Sequence, residues 1–256
     1  MLRPRLRKWV NAALGLVDLE LVPVRAKATE LAGGDDPRFL ALYEKCRPFT
    51  RTSVDRMYAA YQATNYVVDR GLPGAFIECG VWRGGSSMIM ALALLERGVR
   101  DREIYLYDTF KGMSEPTDRD VKANGLEARP VWEQQQKDGV NAWAYAPLTE
   151  VSQNFIRTGY PMERVHLIEG KVEDTIPRQM PDSIALLRLD TDWYESTYHE
   201  LTHLYPRLVR GGVLILDDYG SWQGAREATD EYFRQMRNPV LLNRIDVTGR
   251  LVVKVD

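Results

Sequence analysis

The stretch "SIALLRLDTD", residues 183–192, is an apolar run that ends in two closely spaced carboxylates. An apolar run of this length predicts a strand that is buried on both faces of a sheet. Asp190 and Asp192 then fall at its carboxyl end, where their charges repel each other and each resists losing water. Strand alternation puts both side chains on the same side if the extended backbone continues to residue 192. The sequence therefore predicts a positively charged partner at this strand end.

The rest of residues 75–256 repeats this pattern of short apolar runs separated by stretches of helical length. Such an alternation predicts a mostly parallel sheet with helices on both faces. The runs "PVLLNRI" and "RLVVKV" flank a "TG" turn at 248–249 and predict an antiparallel C-terminal hairpin. The fold class is therefore α/β with seven strands, and the first five are predicted at 75–81, 103–110, 164–170, 183–190 and 211–219.

Composition restricts the class of protein. A chain of 256 residues fits one large domain, or one domain with a small appendage. Hydrophobic residues make up 45% and charged residues 27%, which is typical of a globular protein. The formal net charge of −2 provides no basic field for nucleic acid. Cys46 and Cys79 are too few for a disulfide framework, which favours a reducing, cytoplasmic location.

Residues 1–72 are predicted to form an N-terminal helical extension and cap, and residues 73–256 the main domain. Four basic side chains lie within the first eight residues, followed by apolar residues on one helical stripe. The stripe is too short to span a bilayer, and no signal-peptide cleavage site follows it. Packing of this helix on its own domain or on a second copy is favoured, which predicts a homo-oligomer. A weak peripheral membrane contact is the alternative.

Residues 111–147 do not fit the strand–helix alternation. They are polar, contain Trp132 and Trp143, and lack a clear period. A long irregular stretch inside a compact domain is usually functional or disordered, and the aromatic side chains argue against disorder. The segment is predicted to be a lid or a substrate-contacting insertion, and the alternative is a partly helical surface excursion.

Ligands of open α/β sheets bind beyond the carboxyl ends of the strands, so the residues at these ends are candidates. The first strand ends in "ECGVWRGGSS", residues 78–87, where glycines are expected to let the backbone approach a ligand closely. The spacing G-x-x-x-G-G differs from the dinucleotide fingerprint, which disfavours NAD and FAD.

The second and third strand ends carry acidic residues. Asp108 suits hydrogen bonding to a ribose diol, and a helix N-cap is the alternative. Glu173 and Asp174 would line an adenine pocket or cap a short helix.

The fourth and fifth strand ends contain four carboxylates. Asp190 and Asp192 follow one strand, and Asp217 and Asp218 follow the next. Neither motif contains Lys or His, and ligation by oxygen atoms alone suits Mg²⁺, Mn²⁺ or Ca²⁺. The sequence therefore predicts that the missing positive charge is a metal, and the alternative is that each pair caps a helix. Asp190→Asn or Asp217→Asn is expected to relieve repulsion in the metal-free protein.

Five motifs together resemble the macrocin O-methyltransferase family, class I S-adenosylmethionine enzymes that methylate sugar hydroxyls on antibiotics. The resemblance covers roughly residues 40–255 and rests on "FIECGVWRGGSS", "YDTFKGM", "EDTIP", "LRLDTDWYEST" and "ILDDYG". It implies a class I methyltransferase fold, Rossmann-like and seven-stranded, with a reversed last hairpin. It also implies a Mg²⁺ site and a base that removes the acceptor's proton.

The residues that the resemblance implies fall into three groups. The catalytic base is Asp192, and the Mg²⁺ ligands are Asp190, Asp217 and Asp218. The S-adenosylmethionine site comprises Glu78, Cys79, Gly80, Trp82, Gly84, Ser86, Ser87, Asp108, Thr109, Phe110, Gly170, Val172, Glu173 and Asp190.

The predicted function is methyl transfer from S-adenosylmethionine, with Mg²⁺, to a sugar hydroxyl of a glycosylated natural product or glycan. A catechol-type phenolic O-methyltransferase is the nearest alternative, but such enzymes typically place a Lys three residues after the first metal-binding Asp, where this chain has Trp193. A glycosyltransferase with a D-x-D motif at 190–192 and a metal-free nucleotide-binding protein are further alternatives. The sequence leaves the acceptor sugar unidentified.

Overall fold

A computed structural model describes residues 36–236 and 239–255 of the chain. The predictions on the basic, apolar stripe near the N-terminus lie outside the described residues. No helix within the described ranges is long and apolar enough to cross a membrane. The described helices are α1 (Pro37–Cys46), α2 (Val54–Asp69), α3 (Gly85–Glu96), α4 (Arg129–Gln134), α5 (Leu148–Ile156), α6 (Val172–Thr175), α7 (Tyr194–Leu204) and α8 (Gln223–Arg234), with 3-10 helices at Arg47–Phe49, Met162–Arg164 and Tyr205–Arg207.

The strands form the predicted sheet. The described strands are β1 (Ala75–Cys79), β2 (Ile104–Asp108), β3 (Gln136–Lys137), β4 (Val140–Asn141), β5 (Val165–Glu169), β6 (Ile184–Leu189), β7 (Leu208–Leu216), β8 (Asn243–Arg244) and β9 (Arg250–Val253). A seven-stranded sheet has the order β5-β2-β1-β6-β7-β9-β8. The first five strands along this order are parallel, and β9 pairs antiparallel with both β7 and β8, so the predicted fold class is confirmed.

The predicted hairpin forms, but its first strand is shorter than the apolar run "PVLLNRI" suggested. Only Asn243 and Arg244 pair with β9. Leu241 is 81% exposed, so the apolar side chains before this pair do not all enter the core. An edge strand of two residues leaves few free backbone groups for unwanted pairing.

Alternate side chains of the strands pack on opposite faces of the sheet. Phe76 belongs to an apolar cluster that includes side chains of α1, α2 and α3. Its neighbour Ile77 belongs to a second cluster, with Leu201 and Leu204 of α7. This alternation follows from the period of two in a strand, and it confirms the prediction of helices on both faces.

Residues 111–147 are partly helical and fold against the main domain. They contain α4 and the two-stranded sheet formed by β3 and β4. A third apolar cluster, Ala128 with Trp193, Trp222 and Ala225, lies beneath the segment. Asp120, which is 1% exposed, accepts a hydrogen bond from the backbone N–H of Tyr194 at the start of α7. The role of the segment as a lid stays a prediction.

Asp246 fastens the C-terminal hairpin to helix α2. One carboxylate oxygen accepts hydrogen bonds from the backbone N–H groups of Thr248 and Gly249. The other accepts from Ser53 Oγ at 2.6 Å and from Arg56 Nε at 3.0 Å. Burial raises the pKa of Asp246, but these hydrogen bonds and the charge of Arg56 outweigh it and lower the pKa to about 2.

We expect Asp246→Asn to lower the free energy of unfolding at pH 7 by roughly 1–2 kcal/mol, because it removes a charge-assisted contact that solvent partly screens. A depressed folded-state pKa stabilises the protein above the unfolded value near 3.8, and this contribution is lost as the pH falls towards 2. Urea unfolding between pH 7 and pH 2 should therefore show the free energies of unfolding of the wild type and Asp246→Asn becoming equal as the pH falls. Asp182→Asn, at a fully exposed side chain, is the control. An unchanged free energy at pH 7 in Asp246→Asn would contradict this account.

Candidate active site

The carboxyl ends of β1, β2, β5, β6 and β7 surround a cavity of about 260 Å³, here called the strand-tip cavity. The chain runs outwards from β1 through β2 to β5, and then returns to the other side of β1 for β6 and β7. The strand order therefore reverses between β1 and β6. Such a switch point is where open α/β sheets bind ligands.

The structure brings the four predicted carboxylates together. Because β6 and β7 are parallel neighbours with Leu189 opposite Leu216, the residues that follow them meet at one edge. One oxygen atom each of Asp190, Asp217 and Asp218 lies within 4.8 Å of the other two. Asp192 lines the same cavity.

The alternative that these pairs cap helices is wrong. Trp193 occupies the N-cap position of α7 and Trp222 that of α8, and neither helix start receives a side-chain cap from its own N-cap residue. The first N–H of α7 is satisfied by Asp120 instead.

Asp192 reaches the cavity by a turn, not by strand alternation. Strand β6 ends at Leu189, and Asp192 has a φ of 68°, in the left-handed region that few residues other than glycine adopt. The expectation of an extended backbone up to residue 192 is therefore wrong. Gly80 makes this turn possible, because a Cβ there would overlap the carbonyl oxygen of Asp190. The glycine is therefore needed for the close approach of residues 80 and 190.

The positive partner of the carboxylates is in part an arginine of the same strand. Arg188 is completely buried within β6. Its guanidinium donates to Glu78 and Asp217, and to Asp190 Oδ2 at 2.8 Å. Sequence reasoning treated Arg188 as part of an apolar run, although its spacing of two from Asp190 indicated the same face.

Helix α2 supplies a second arginine. Arg56 donates to Asp217 Oδ2, and Thr52 Oγ1 donates to Asp217 Oδ1 at 3.0 Å. The prediction that a metal provides the positive charge is thus incomplete, because Asp217 is held by two guanidinium groups. No sequence motif marked Thr52 or Arg56, which lie more than 160 residues before Asp217.

Carboxyl groups outnumber guanidinium groups at this centre. Burial raises the pKa of Asp190 and of Asp218, and the nearby carboxylates add to this effect. Burial and the charge of Asp190 raise the pKa of Asp192 to about 7. Asp218 Oδ2 is buried and has no hydrogen-bond partner among the described residues. A buried oxygen without a partner is costly, and a cation is the kind of ligand that would satisfy it.

The predicted cofactor residues divide into two groups by position. The residues that line the strand-tip cavity are Gly80, Trp82, Ser86, Asp108, Thr109, Gly170, Val172, Glu173 and Asp190. Glu78, Cys79, Gly84, Ser87 and Phe110 are not among its lining residues. Glu78 is fully buried behind the first loop, where it accepts hydrogen bonds from Ser86 and Ser87 as well as from Arg188.

Asp108 organises the first loop. One of its oxygens accepts from the backbone N–H groups of Val81 and Trp82 at 2.7 and 2.9 Å, and the other accepts from that of Phe110 at 2.8 Å. Asp108 is the last residue of β2, and the described chain continues into a turn, so the N-cap alternative is wrong. At the third tip Lys171 is the N-cap of α6, so neither Glu173 nor Asp174 caps this helix.

Sequence reasoning missed the wall of the cavity that the N-terminal segment forms. Residues 49–52 and Arg56 line the cavity opposite the strand ends. A Cβ at Gly85 would lie 2.6 Å from Thr50 Cβ and 2.7 Å from the carbonyl carbon of Phe49, so this glycine lets the segment pack on the start of α3. Arg51 lies over the ring of Trp82, 4.4 Å from its centroid.

Comparison with known proteins defines the class. The family described as Macrocin-O-methyltransferase (TylF) matches residues 28–254. The 8-demethyl-8-(2,3-dimethoxy-alpha-L-rhamnosyl)-tetracenomycin-C 4'-O-methyltransferase of Streptomyces olivaceus is 33% identical over 84% of this chain and 78% of that protein. The demethyldecarbamoylnovobiocin O-methyltransferase of Streptomyces niveus is 34% identical over 72% of this chain and 67% of that protein. The solved structure of the O-methyltransferase NovP superposes with a TM-score of 0.72 at 30% identity, covering 81% of this chain and 83% of that chain.

These matches define an O-methyltransferase with a class I fold. The chain belongs to the macrocin O-methyltransferase family, as its motifs predicted. Membership excludes the glycosyltransferase and the non-catalytic alternatives.

We expect Arg188→Met to lower the free energy of unfolding by about 3–5 kcal/mol at pH 7, because it leaves buried carboxylates without their counter-charge. The loss should shrink as the pH falls, since the carboxylates then take up protons. Arg97→Met is the control, because Arg97 pairs with Asp69 at the surface. Urea unfolding with EDTA present measures both variants, and equal losses would contradict the central role of Arg188.

Proposed function

We propose that the protein transfers a methyl group from S-adenosylmethionine to a sugar hydroxyl, with Mg²⁺ at the cluster of Asp190, Asp217 and Asp218. The observation that carries this proposal is the partnerless buried oxygen of Asp218, inside an acidic cluster at the switch point of an O-methyltransferase fold. The family membership gives the reaction type.

The residues present fit a hard divalent cation. Its candidate ligands are carboxylate oxygens alone, which suit Mg²⁺. Two guanidinium groups lie near five carboxyl groups, so a further cation would stabilise the centre. The guanidinium groups belong to Arg56 and Arg188, and the carboxyl groups to Glu78, Asp190, Asp192, Asp217 and Asp218. When bound, such an ion supplies Lewis acidity that makes an alcohol easier to deprotonate.

Asp190, Asp217 and Asp218 would not contribute equally to metal binding. Both oxygens of Asp217 already accept from arginines, which fixes the orientation of this carboxylate. Asp218 keeps an oxygen with no partner among the described residues, and only one oxygen of Asp190 accepts from Arg188. We therefore assign the main ligand atoms to Asp190 and Asp218, while Asp217 is held by Arg56 and Arg188.

The cofactor would lie between the first loop and the N-terminal wall. Gly80, Trp82 and Ser86 line one side of the strand-tip cavity, and Asp108 is oriented by three backbone N–H groups. Its carboxylate oxygens retain lone pairs that suit a ribose diol. Gly170, Val172 and Glu173 line the end of the cavity that we assign to adenine.

Asp192 is the group that we assign as the base. It lines the cavity together with the candidate metal ligands Asp190 and Asp218. A carboxylate there takes the proton of an acceptor hydroxyl while that oxygen attacks the methyl carbon. Trp82 and Trp143 line the same cavity, where their rings exclude water from the reacting groups.

A sugar acceptor is favoured over a phenol. A relative at 33% identity is named for a reaction on a rhamnosyl-bearing antibiotic. Trp193 occupies the position where catechol-type enzymes place a lysine; it is 3% exposed and donates to the carbonyl of Ser114. Self-association and a membrane contact through the N-terminal residues stay predictions, as does a cytoplasmic location.

Calorimetric titration with S-adenosylhomocysteine, UDP and NAD in turn tests the cofactor assignment. We expect binding of S-adenosylhomocysteine alone, and Asp108→Asn should weaken it about 10-fold or more through loss of a charged acceptor. Asp118→Asn, at an exposed site in residues 111–147, is the control. Binding of UDP in place of S-adenosylhomocysteine would rule the assignment out.

The metal assignment predicts opposite effects at two neighbouring carboxylates. Asp218→Asn should stabilise the metal-free protein, because it removes a buried carboxyl group that lies near Asp192 and Asp217, and should weaken Mn²⁺ binding about 10-fold or more. Asp217→Asn should destabilise the metal-free protein by about 3–5 kcal/mol, because Arg56 and Arg188 each lose one of their buried carboxylate partners. The expectation from sequence was that Asp217→Asn would relieve repulsion in the metal-free protein, and the contacts of Asp217 reverse it. Urea unfolding in EDTA and Mn²⁺ titration measure the two effects, and equal behaviour of both variants would contradict the assignment.

The variant Asp192→Asn distinguishes between two roles of Asp192, as the catalytic base or as a metal ligand. We expect it to retain affinity for Mg²⁺ and S-adenosylhomocysteine and to lose about 10²- to 10⁴-fold in kcat. The assay is transfer of a labelled methyl group from S-adenosylmethionine to a panel of rhamnosides. Recovery of near wild-type turnover at saturating Mg²⁺ would instead make Asp192 a ligand.

A further inference from the structure

Glu200 is a buried carboxyl group behind the active site that the proposed reaction does not use. It lies in the second turn of α7 and is completely buried. Its two oxygens both accept from Thr191 Oγ1, at 3.0 and 3.2 Å. The carboxyl groups whose charges bear on it, Glu173 and Asp218, have the same sign as its own. Burying an acid in such surroundings is costly, so its orientation towards Thr191 requires an explanation.

Thr191 is the central residue of the turn that delivers the two acids. Asp190 precedes it and Asp192 follows it, with Asp192 in the left-handed region. A residue other than glycine stays in that region only where its surroundings hold it there. The backbone of the turn is held by Asp190 N donating to Cys79 O at 2.8 Å, and by Trp193 N donating to Thr191 O at 2.8 Å.

Glu200 also lies close to the residue that supports this turn. Burial and the nearby charge of Glu200 raise the pKa of the thiol of Cys79, the last residue of β1. Cys79 is the same residue whose carbonyl receives the N–H of Asp190. One side chain of α7 therefore contacts the middle of the turn and lies near the end of β1. An apolar residue at position 200 would accept no hydrogen bond from Thr191.

We propose that Glu200 is a positioning residue that, through the hydroxyl of Thr191, holds the turn 190–192 in the conformation that directs Asp190 and Asp192 into the strand-tip cavity. The inference rests on the proposed function, because positioning has value only if these acids bind an ion and move a proton. Glu200 itself lies outside the cavity and touches neither group. Loss of its contact lets the turn leave the left-handed conformation, which separates the ligand oxygens and weakens ion binding.

Two disruptive and two conservative variants test this role. Thr191→Val is isosteric and removes the hydroxyl, and Glu200→Met keeps the length of the side chain but removes the acceptor. Thr191→Ser and Glu200→Gln keep a donor and an acceptor, respectively. Mn²⁺ titration of the full chain, titration with S-adenosylhomocysteine and the melting temperature are the three measurements.

We expect Thr191→Val and Glu200→Met each to raise the Kd for Mn²⁺ by roughly 5- to 20-fold, the range of one lost buried hydrogen bond. The Kd for S-adenosylhomocysteine should stay within about twofold, because Glu200 lies outside the cavity and Thr191 is not among the residues assigned to the cofactor. The double variant should have a Kd for Mn²⁺ no higher than that of the single variant with the higher Kd, since both substitutions remove the same contact. Thr191→Ser and Glu200→Gln should restore wild-type Mn²⁺ affinity.

A lowered melting temperature with unchanged Mn²⁺ affinity in Thr191→Val would overturn the positioning role and leave the proposed function standing. If Glu200→Met does not fold, Thr191→Val decides alone. Wild-type protein that binds S-adenosylhomocysteine but no Mn²⁺ would overturn the metal assignment and the positioning role together. Wild-type protein that binds neither would overturn the proposed function as a whole.

Discussion

The guanidinium group of Arg188 lies among three carboxylates in the interior of the protein, and the rest of the site depends on that arrangement. Removing a charge from water costs several kcal/mol, so a buried acidic cluster persists only with counter-charges in place. Arg188 contacts Glu78 behind the first loop, Asp190 after β6 and Asp217 after β7. One residue therefore connects the proposed cofactor loop with the proposed metal ligands. The remaining negative charge makes a bound cation favourable.

The parallel register of the sheet places these groups, and the N-terminal segment completes them. Asp217 N donates to Leu189 O at 2.9 Å, which aligns the two acidic strand ends. Arg56 and Thr52 reach Asp217 from helix α2 and the segment before it. The division of the chain near residue 72 stays a prediction. The contacts of Asp217 nevertheless join the two proposed parts at the point where the chemistry is expected.

Most of the fold could be predicted from sequence, because buried parallel strands appear as short apolar runs and helical crossovers have a different period. The convergence of the four acids followed from the adjacency of two strands. The arginines could not be predicted with equal ease: Arg188 interrupts an apolar run, and Arg56 meets Asp217 only through the tertiary fold. The turn at Asp192 was also missed. Its left-handed backbone accompanies the close approach of Gly80 to Asp190, a contact between distant parts of the sequence that no local pattern shows.

The family and the geometry together point to one type of reaction and leave the acceptor sugar open. The central claim is that Asp190 and Asp218 hold a divalent ion while Arg188 keeps Asp217 and Glu78 in place. The most direct measurement is a crystal structure of the protein with Mn²⁺ and S-adenosylhomocysteine, with the ion located by its anomalous scattering. The account predicts a peak roughly 2 Å from carboxylate oxygens of Asp190 and Asp218, with Arg188 still paired to Glu78 and Asp217. A cofactor-bound crystal with no peak at these residues, or with its peak at another site, would contradict it.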